Sequence, residues 1–461
     1  MPMSKHNEPR HVTSSGAGKG ADSTRVADRF EKRRRNVCIC VSAWFGLVIG
    51  CANSTTVSLD AGDPAKTVSA DAVGNSTAGS VDTGNLPAKL LSISDLNYVG
   101  AFALPDDTYG DSSANFAAGV IEVNGDSLFF VGHDHDDAIA EFVVPPLVNS
   151  QSIADLRYAK SPRQAFTKVI EKVSGGNSEA LDQIVGLELV NGRLIGNAVE
   201  YYDAPANNKA TTFVVQNAAA LANSSVAGFY SFEGEARSAG WLSTVPPEWQ
   251  QALGCTHITG HSSGGPIIAR HSVGPSAFCV NLDPLALGQS QKRVRTREML
   301  GYRLDRPLNK DLFNEKGKNA VWTHLSQARF GFIVPGTSTY ATFGSSGGHQ
   351  SGVGYKLERP NGNPCGGYCP QDPSDQYNYY WLWDMKDLMK AANDSLPASA
   401  ITPYESGVFN VPFQTGKELR RIGGASYDDR TGRLYMSVLR ANNTLGQYAN
   451  PPVIVAYQIR K

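Results

Sequence analysis

His133-Asp134-His135-Asp136-Asp137 is the densest run of titratable side chains in this 461-residue sequence. Imidazole and carboxylate groups so close together can ligate a divalent cation, with His133, His135 and Asp136 as the expected ligands, or supply a general base. Alternate residues of an extended segment point to opposite sides, so the five groups cannot all face one ion. A solvated acidic turn is the competing reading. No cofactor beyond such a cation is suggested.

A second grouping is Glu200-Tyr201-Tyr202-Asp203, and a third is Glu233, Glu235 and Arg237 in FEGEARSAGW, followed by Trp241 and Trp249. Carboxylates interleaved with aromatic rings suit a sugar-binding cleft, where rings stack on pyranose faces and polar groups hold the rim. A glycoside hydrolase needs two carboxylates across the scissile bond, for which Glu235 with Glu200 or Asp203 are the candidates. A lyase acting on a uronic-acid polymer needs a cationic group on the sugar carboxylate and a base for the α-proton. His133, His261, Tyr202 and Arg270 are the candidates for that chemistry. A non-catalytic module that binds a glycan or a protein is the alternative, and an electron-transfer quinoprotein is a remote one without a supporting motif. The sequence contains no sialidase Asp-box, no calcium repeat and no Ser/His/Asp signature.

These groups need a scaffold, and the chain repeats one. Residues 118–145 read as three short antiparallel strands, 119–123, 128–132 and 138–144. The Asn124-Gly125-Asp126 turn lies between the first two, and Asn-Gly suits the positive φ of a type I′ hairpin corner. The grammar returns at 184–216, at 256–281, at 330–344 resuming at 379–384, and at 422–459. Short Ala/Leu-rich connectors follow the first four copies. Each leads to one more strand-like run, at 165–173, 226–233, 294–304 and 401–411. The fifth copy lacks a fourth strand, and 95–104 (DLNYVGAFAL) has the character to supply it. The expected fold is all-β: a five-bladed β-propeller of four-stranded antiparallel blades, the last closed by the N-terminal strand. An irregular β-sandwich is the alternative.

In such blades the loops between strands two and three, and those from blade to blade, share one face. In the expected register the one-to-two turns are short and the other face carries the long loops: 133–137, 201–209, 234–254, 303–327, 348–378 and 440–452. A functional site is expected among them. Nine histidines occur, and His6 and His11 precede residue 51. The other seven fall on the decorated face or on the innermost strand beneath it, with His257 and His261 placed on an innermost strand.

Residues 1–51 read as an export signal, a basic Lys32-Arg33-Arg34-Arg35 followed by a short apolar run that ends Val48-Ile49-Gly50-Cys51. The tetrapeptide resembles the bacterial lipobox, which implies lipidation of Cys51 and, with Ala52 next, outer-membrane sorting. Ordinary cleavage and secretion is the alternative. Residues 52–90 are a Ser/Thr/Ala/Gly tether with too few large side chains to fold, and 91–461 form the domain. Cys255, Cys279, Cys365 and Cys369 remain there, and an oxidising compartment suggests two disulfides, Cys365–Cys369 and, less firmly, Cys255–Cys279. Their spacings fit no familiar zinc pattern. Formal net charge is −1 with basic residues scattered, so no nucleic-acid footprint is expected. The expected partners are a poly- or oligosaccharide and, through a lipid anchor, the outer membrane, with the chain itself a monomer.

The stretches GHDHDDAIAEFVVP, GEARSAGWLSTVPPEWQ, HITGHSSGGPIIARHSVGPSAF and RIGGASYDDRTGRLYMSVL resemble a group of uncharacterised secreted bacterial β-propeller lipoproteins. The resemblance implies fold and export and brings no chemistry. By fold alone, the chain resembles propeller-type glycoside hydrolases and polysaccharide lyases. The expected function is a surface-tethered, carbohydrate-active propeller that cleaves a polysaccharide.

Overall fold

Asn191 and Gly192 both take positive φ, 51° and 75°. They form the corner of a hairpin in which Val190 pairs with Arg193. At residues 124–127 the corner slides by one position: Asn124 pairs with Ser127, and Gly125, at φ 64°, takes the left-handed place. Such corners join alternating apolar runs into four-stranded antiparallel sheets. The computed structural model of the protein describes residues 86–262, 271–288, 292–359, 362–414, 418–446 and 448–460. Five of these sheets stand in a ring, a five-bladed β-propeller.

Blade 1 comprises Ile121–Asn124, Ser127–Val131, Ala138–Val143 and Gln164–Lys168. Blade 2 comprises Gln183–Val190, Arg193–Val199, Ala210–Val215 and Val226–Phe232. Arg293–Val294 adds to its outer edge in parallel. Blade 3 is Leu242–Thr244, His257–Thr259, Ala277–Val280 and Thr296–Leu300. Blade 4 is Gln327–Ile333, Thr339–Gly347, Gln376–Asp384 and Glu405–Val408. Blade 5 is Ile422–Asp428, Arg433–Val438 and Val453–Ile459, with Leu96–Ala103 antiparallel to the last of these. The N-terminal strand therefore completes the last blade as its outermost strand.

Blade 3 departs from the expected register. Leu242–Thr244, not 256–262, is its innermost strand, and His257–Thr259 is the second. The connection between them holds the helix Pro247–Leu253, whose Trp249 is 1% exposed and donates from Nε1 to the Thr337 carbonyl at 3.1 Å. Thr337 lies in the one-to-two turn of blade 4. Most of the expected 234–254 loop thus belongs to the innermost strand and the opposite face.

The wedges between blades hold the core. Phe129, Ile184, Leu194 and Phe213 fill the space between blades 1 and 2. Trp241, Tyr340, Trp381, Trp383 and Met436 belong to the large cluster of blades 3 to 5. Each such side chain contributes roughly 1.5–3 kcal/mol. Buried polar side chains pin neighbouring blades. Asn197 donates to the Gly240 carbonyl at 2.9 Å, Trp241 Nε1 to the Tyr340 hydroxyl at 3.0 Å, and the Ile422 amide to Asn378 Oδ1 at 2.9 Å.

Cys255 and Cys279 form a disulfide between the second and third strands of blade 3, with a Cα separation of 5.8 Å. Cys365 and Cys369 form the other, at 6.5 Å, within the insertion of blade 4. The signal segment, Cys51 and residues up to 85 of the tether lie outside the described residues. From residue 86 the chain is docked: Leu86 packs on the core, and the Lys89 carbonyl accepts from the Ser338 amide at 2.7 Å. Among the described residues no helix is long and apolar enough to cross a membrane.

Candidate functional site

The innermost strands of blades 2, 4 and 5 share one irregularity near their upper ends. Pairing skips Val185 between Ile184 and Gly186, Arg329 between Ala328 and Phe330, and Gly423 between Ile422 and Gly424. A bulge inserts one extra residue and re-aims it, and bulges concentrate beside sites. Val185 and Arg329 both line a cavity of about 350 Å³ at the axial mouth of the decorated face. All five blades contribute to it. Phe116 and Asp134 come from blade 1, Glu200 and Tyr201 from blade 2, Trp241 and His261 from blade 3, and Arg421 and Arg440 from blade 5. Gly240, also in the lining, carries no side chain for a steric reason: a Cβ there would collide with the Gly260 carbonyl.

Three guanidinium groups converge on this mouth. Arg329 makes no hydrogen bond or ion pair with the described residues, and burial, then the charge of Arg421, pull its pKa down to about 10. Arg421 donates to Gln376 Oε1 at 3.0 Å and is itself held below the usual arginine value by burial and by Arg440. Arg440, at φ 55°, lies over the Phe116 ring at 5.3 Å. Cations that depress one another's pKa favour an anion between them.

His261 stands in the same wall and is 8% exposed. Its Nδ1 is 3.2 Å from the Ala239 carbonyl, while its Nε2 has no hydrogen-bond partner among the described residues. Burial, with His271 and Arg329 adding to it, drives its pKa down to about 3. The ring is therefore neutral near pH 7. Because a carbonyl can only accept, Nδ1 carries the proton and Nε2 keeps a bare lone pair. Behind it, the His271 ring meets His261 edge-on at 5.7 Å, and His271 Nε2 lies 3.0 Å from Asp203 Oδ2.

No protein-family model matches this chain, and no curated protein is similar to it. The site must be read from its own residues.

Of the sequence candidates, Glu200 and His261 line the mouth, whereas Tyr202 is 54% exposed outside the lining and its neighbour Tyr201 is within it. Glu235 is exposed on the short helix Glu235–Ser238, also outside the lining. Asp203 is wholly buried, accepting from the amides of Asn207 and Asn208 at 3.1 Å each. Arg270 lies outside the described residues. His133 packs edge-on against Phe116 at 6.0 Å, beside the lining, and its Nδ1 accepts from the His135 amide. Asp136 accepts from Ser112 Oγ at 2.8 Å, and among the described residues no group of three or more His, Cys, Asp or Glu side chains is placed to hold a metal.

The histidine expectation needs one correction. His257, at the start of the second strand of blade 3, is not on the decorated face. Its Nε2 lies 3.9 Å from Glu188, at the far end of the axis. His349 is structural, bonded through Nδ1 to the Asn319 carbonyl and through Nε2 to Ser346.

Sequence reasoning missed Arg329, Arg421 and Arg440. The signal was available in the repeat register, since Arg329 and Arg421 each directly precede the apolar run of an innermost strand. An arginine at an axial position surrounded by Phe and Ile is anomalous enough to mark a site.

Proposed function

We propose that the axial mouth binds a uronic-acid residue of an anionic polysaccharide and cleaves the chain there by β-elimination. One observation carries this reading. Among the described residues, a half-buried guanidinium without a counter-ion, Arg329, shares a cavity with a buried imidazole whose Nε2 lone pair has no partner. A sugar carboxylate satisfies the first, and the carbon α to that carboxylate brings a removable proton to the second. The cavity volume, about 350 Å³, is in the range of small-molecule sites. Tyr201 and Phe116 give the apolar surface that sugar rings require.

In the proposed reaction Arg329 and Arg421 bind the carboxylate and stabilise the charge that develops on it. His261 Nε2 accepts the α-proton. The C–H electron pair becomes the new carbon–carbon double bond, the glycosidic bond to the β-carbon breaks, and the leaving oxygen takes a proton from water. A bound carboxylate also offsets the Arg329 charge, one of the causes that hold His261 low, so basicity rises on binding. The hydrolase reading has less support, because of its candidate carboxylates only Glu200 lines the mouth. A lipid anchor at Cys51, holding the domain at the outer membrane, remains part of this proposal and rests on the signal sequence.

The test is incubation of the full-length protein, in mild detergent, with neutral and uronate-containing polysaccharides, following reducing ends and ultraviolet absorbance together. Reducing ends with new absorbance, on uronate polymers only, are expected. Reducing ends without absorbance would replace elimination by hydrolysis. Binding of uronate polymers with neither signal would leave a non-catalytic glycan-binding propeller.

A further inference from the structure

At the opposite end of the axis, all five blades enclose a second, much smaller cavity of about 10 Å³. That is room for about one water-sized sphere. Its polar lining is Glu122 from blade 1, Glu188 from blade 2, Ser243 and Thr244 from blade 3, and Ser426, Tyr427 and Asp429 from blade 5, while Phe330 and Phe332 of blade 4 close it. Neither lysine nor arginine is in the lining.

Both carboxylates are buried, each 7% exposed. Glu122 accepts from Ser426 Oγ at 2.9 Å and from the Leu189 amide at 3.3 Å, and Glu188 accepts from Thr244 Oγ1 at 2.7 Å. A carboxylate has about four acceptor positions, so both retain capacity toward the cavity. An independent observation points the same way. Ser243 is 5% exposed, lines the cavity, and its Oγ has no hydrogen-bond partner among the described residues. Buried hydroxyls are normally satisfied, and leaving one unpaired costs roughly 1–3 kcal/mol.

We propose that this cavity binds a single calcium ion through carboxylate oxygens of Glu122 and Glu188 and the hydroxyl of Ser243, tying blades 1, 2 and 3 together at the axis. The donors are all hard oxygens, which suit calcium and magnesium and not the nitrogen- and sulfur-seeking metals. Glu122 and Glu188 carry the charge that one divalent ion neutralises, and Asp429 adds a third carboxylate to the lining. Magnesium keeps several of its waters, and a cavity of this size has no room for them. The proposal is independent of what the upper mouth binds.

The test uses full-length protein in mild detergent, stripped with EDTA and titrated with calcium by calorimetry and thermal unfolding, with terbium as a luminescent probe. The stripped protein is expected to bind one equivalent of calcium, to melt at higher temperature with it, and to sensitise terbium emission that calcium displaces. Glu122→Gln and Glu188→Gln are each expected to weaken binding by about tenfold or more. A stripped wild-type protein that binds no calcium overturns the proposal, as do Gln variants that bind like wild type. If both Gln variants fail to fold, Ser243→Ala decides: weaker calcium binding supports the site, and unchanged affinity overturns it.

Discussion

His271 Nε2 lies 3.0 Å from Asp203 Oδ2, and the two residues are 7% and 0% exposed. The contact joins the two-to-three loops of blades 2 and 3 and backs the wall that carries His261. Asp203 also accepts from the amides of Asn207 and Asn208, so its carboxylate organises the blade 2 loop. Burial holds His271 below its ordinary pKa, so its ring is neutral near pH 7 and Asp203 is a buried carboxylate held by hydrogen bonds, each worth about 1.5–3 kcal/mol. Asp203→Ala is therefore expected to lower unfolding stability by about 3 kcal/mol in chemical denaturation. A loss below about 1 kcal/mol, the size of an exposed pair, would show that Asp203 is not the organiser of this loop.

Arg329 should behave in the opposite way. Its half-buried charge has no ion-pair partner among the described residues, so Arg329→Gln is expected to leave stability unchanged or to raise it. Affinity for a uronate oligosaccharide should fall by about tenfold to a hundredfold, the worth of one charge-assisted hydrogen bond. Arg329→Lys should recover part of the loss. Calorimetric titration and thermal unfolding of the same samples check both halves, and unchanged affinity in Arg329→Gln would remove the carboxylate from this position.

The two strands flanking the Asn191-Gly192 corner were legible in the sequence because both central residues of that hairpin need positive φ, a local requirement. The closing role of 96–103 was legible because a five-copy repeat short of one strand has one obvious donor. Blade 3 was not, since its innermost strand, Leu242–Thr244, has only three residues, too few for a period-two pattern to register. That slip carried His257 to the wrong face. At the site, Glu200 stood out as a polar residue in a loop and His261 as a histidine expected on an innermost strand. Arg329 did not, because its role comes from a bulge, and pairing register is a property of two strands that one strand's sequence does not display.

The Cys255–Cys279 disulfide closes a separation of 24 residues that includes the loop carrying His261. Loop-closure entropy alone gives such a bridge about 3 kcal/mol. The double variant Cys255→Ala, Cys279→Ala is expected to unfold at correspondingly lower denaturant concentration. Cys365–Cys369 spans only 4 residues, so its removal should cost less and act on the blade 4 insertion. Urea unfolding of the two double variants side by side gives the comparison, and a larger loss from the short loop would contradict the entropic ranking.

Acidity separates two further groups. Asp137, whose carboxylate accepts from the Ile184 amide at 3.2 Å, is pushed up to about 7, chiefly by burial. His261 is pushed down to about 3, again chiefly by burial. For Asp137 the folded state holds its proton more tightly than the unfolded one, whose pKa is near 4. Its contribution is fully present below about pH 4 and is lost as pH rises through about 7, roughly 4 kcal/mol in all. For His261 the unfolded chain binds the proton more tightly. Its contribution is full above about pH 6.5 and is lost as pH falls toward about 3. The slopes oppose one another between about pH 4 and 6.5, so the wild-type curve conceals both. Single variants reveal them. The stability of Asp137→Asn relative to wild type should climb with pH from about 4 to 7, because asparagine keeps an acceptor for Ile184 without the buried charge. That of His261→Gln should climb as pH falls below about 6.5. Denaturation midpoints at half-unit pH steps supply the two difference curves, and a flat curve for either variant would mean that its side chain titrates as it does in water.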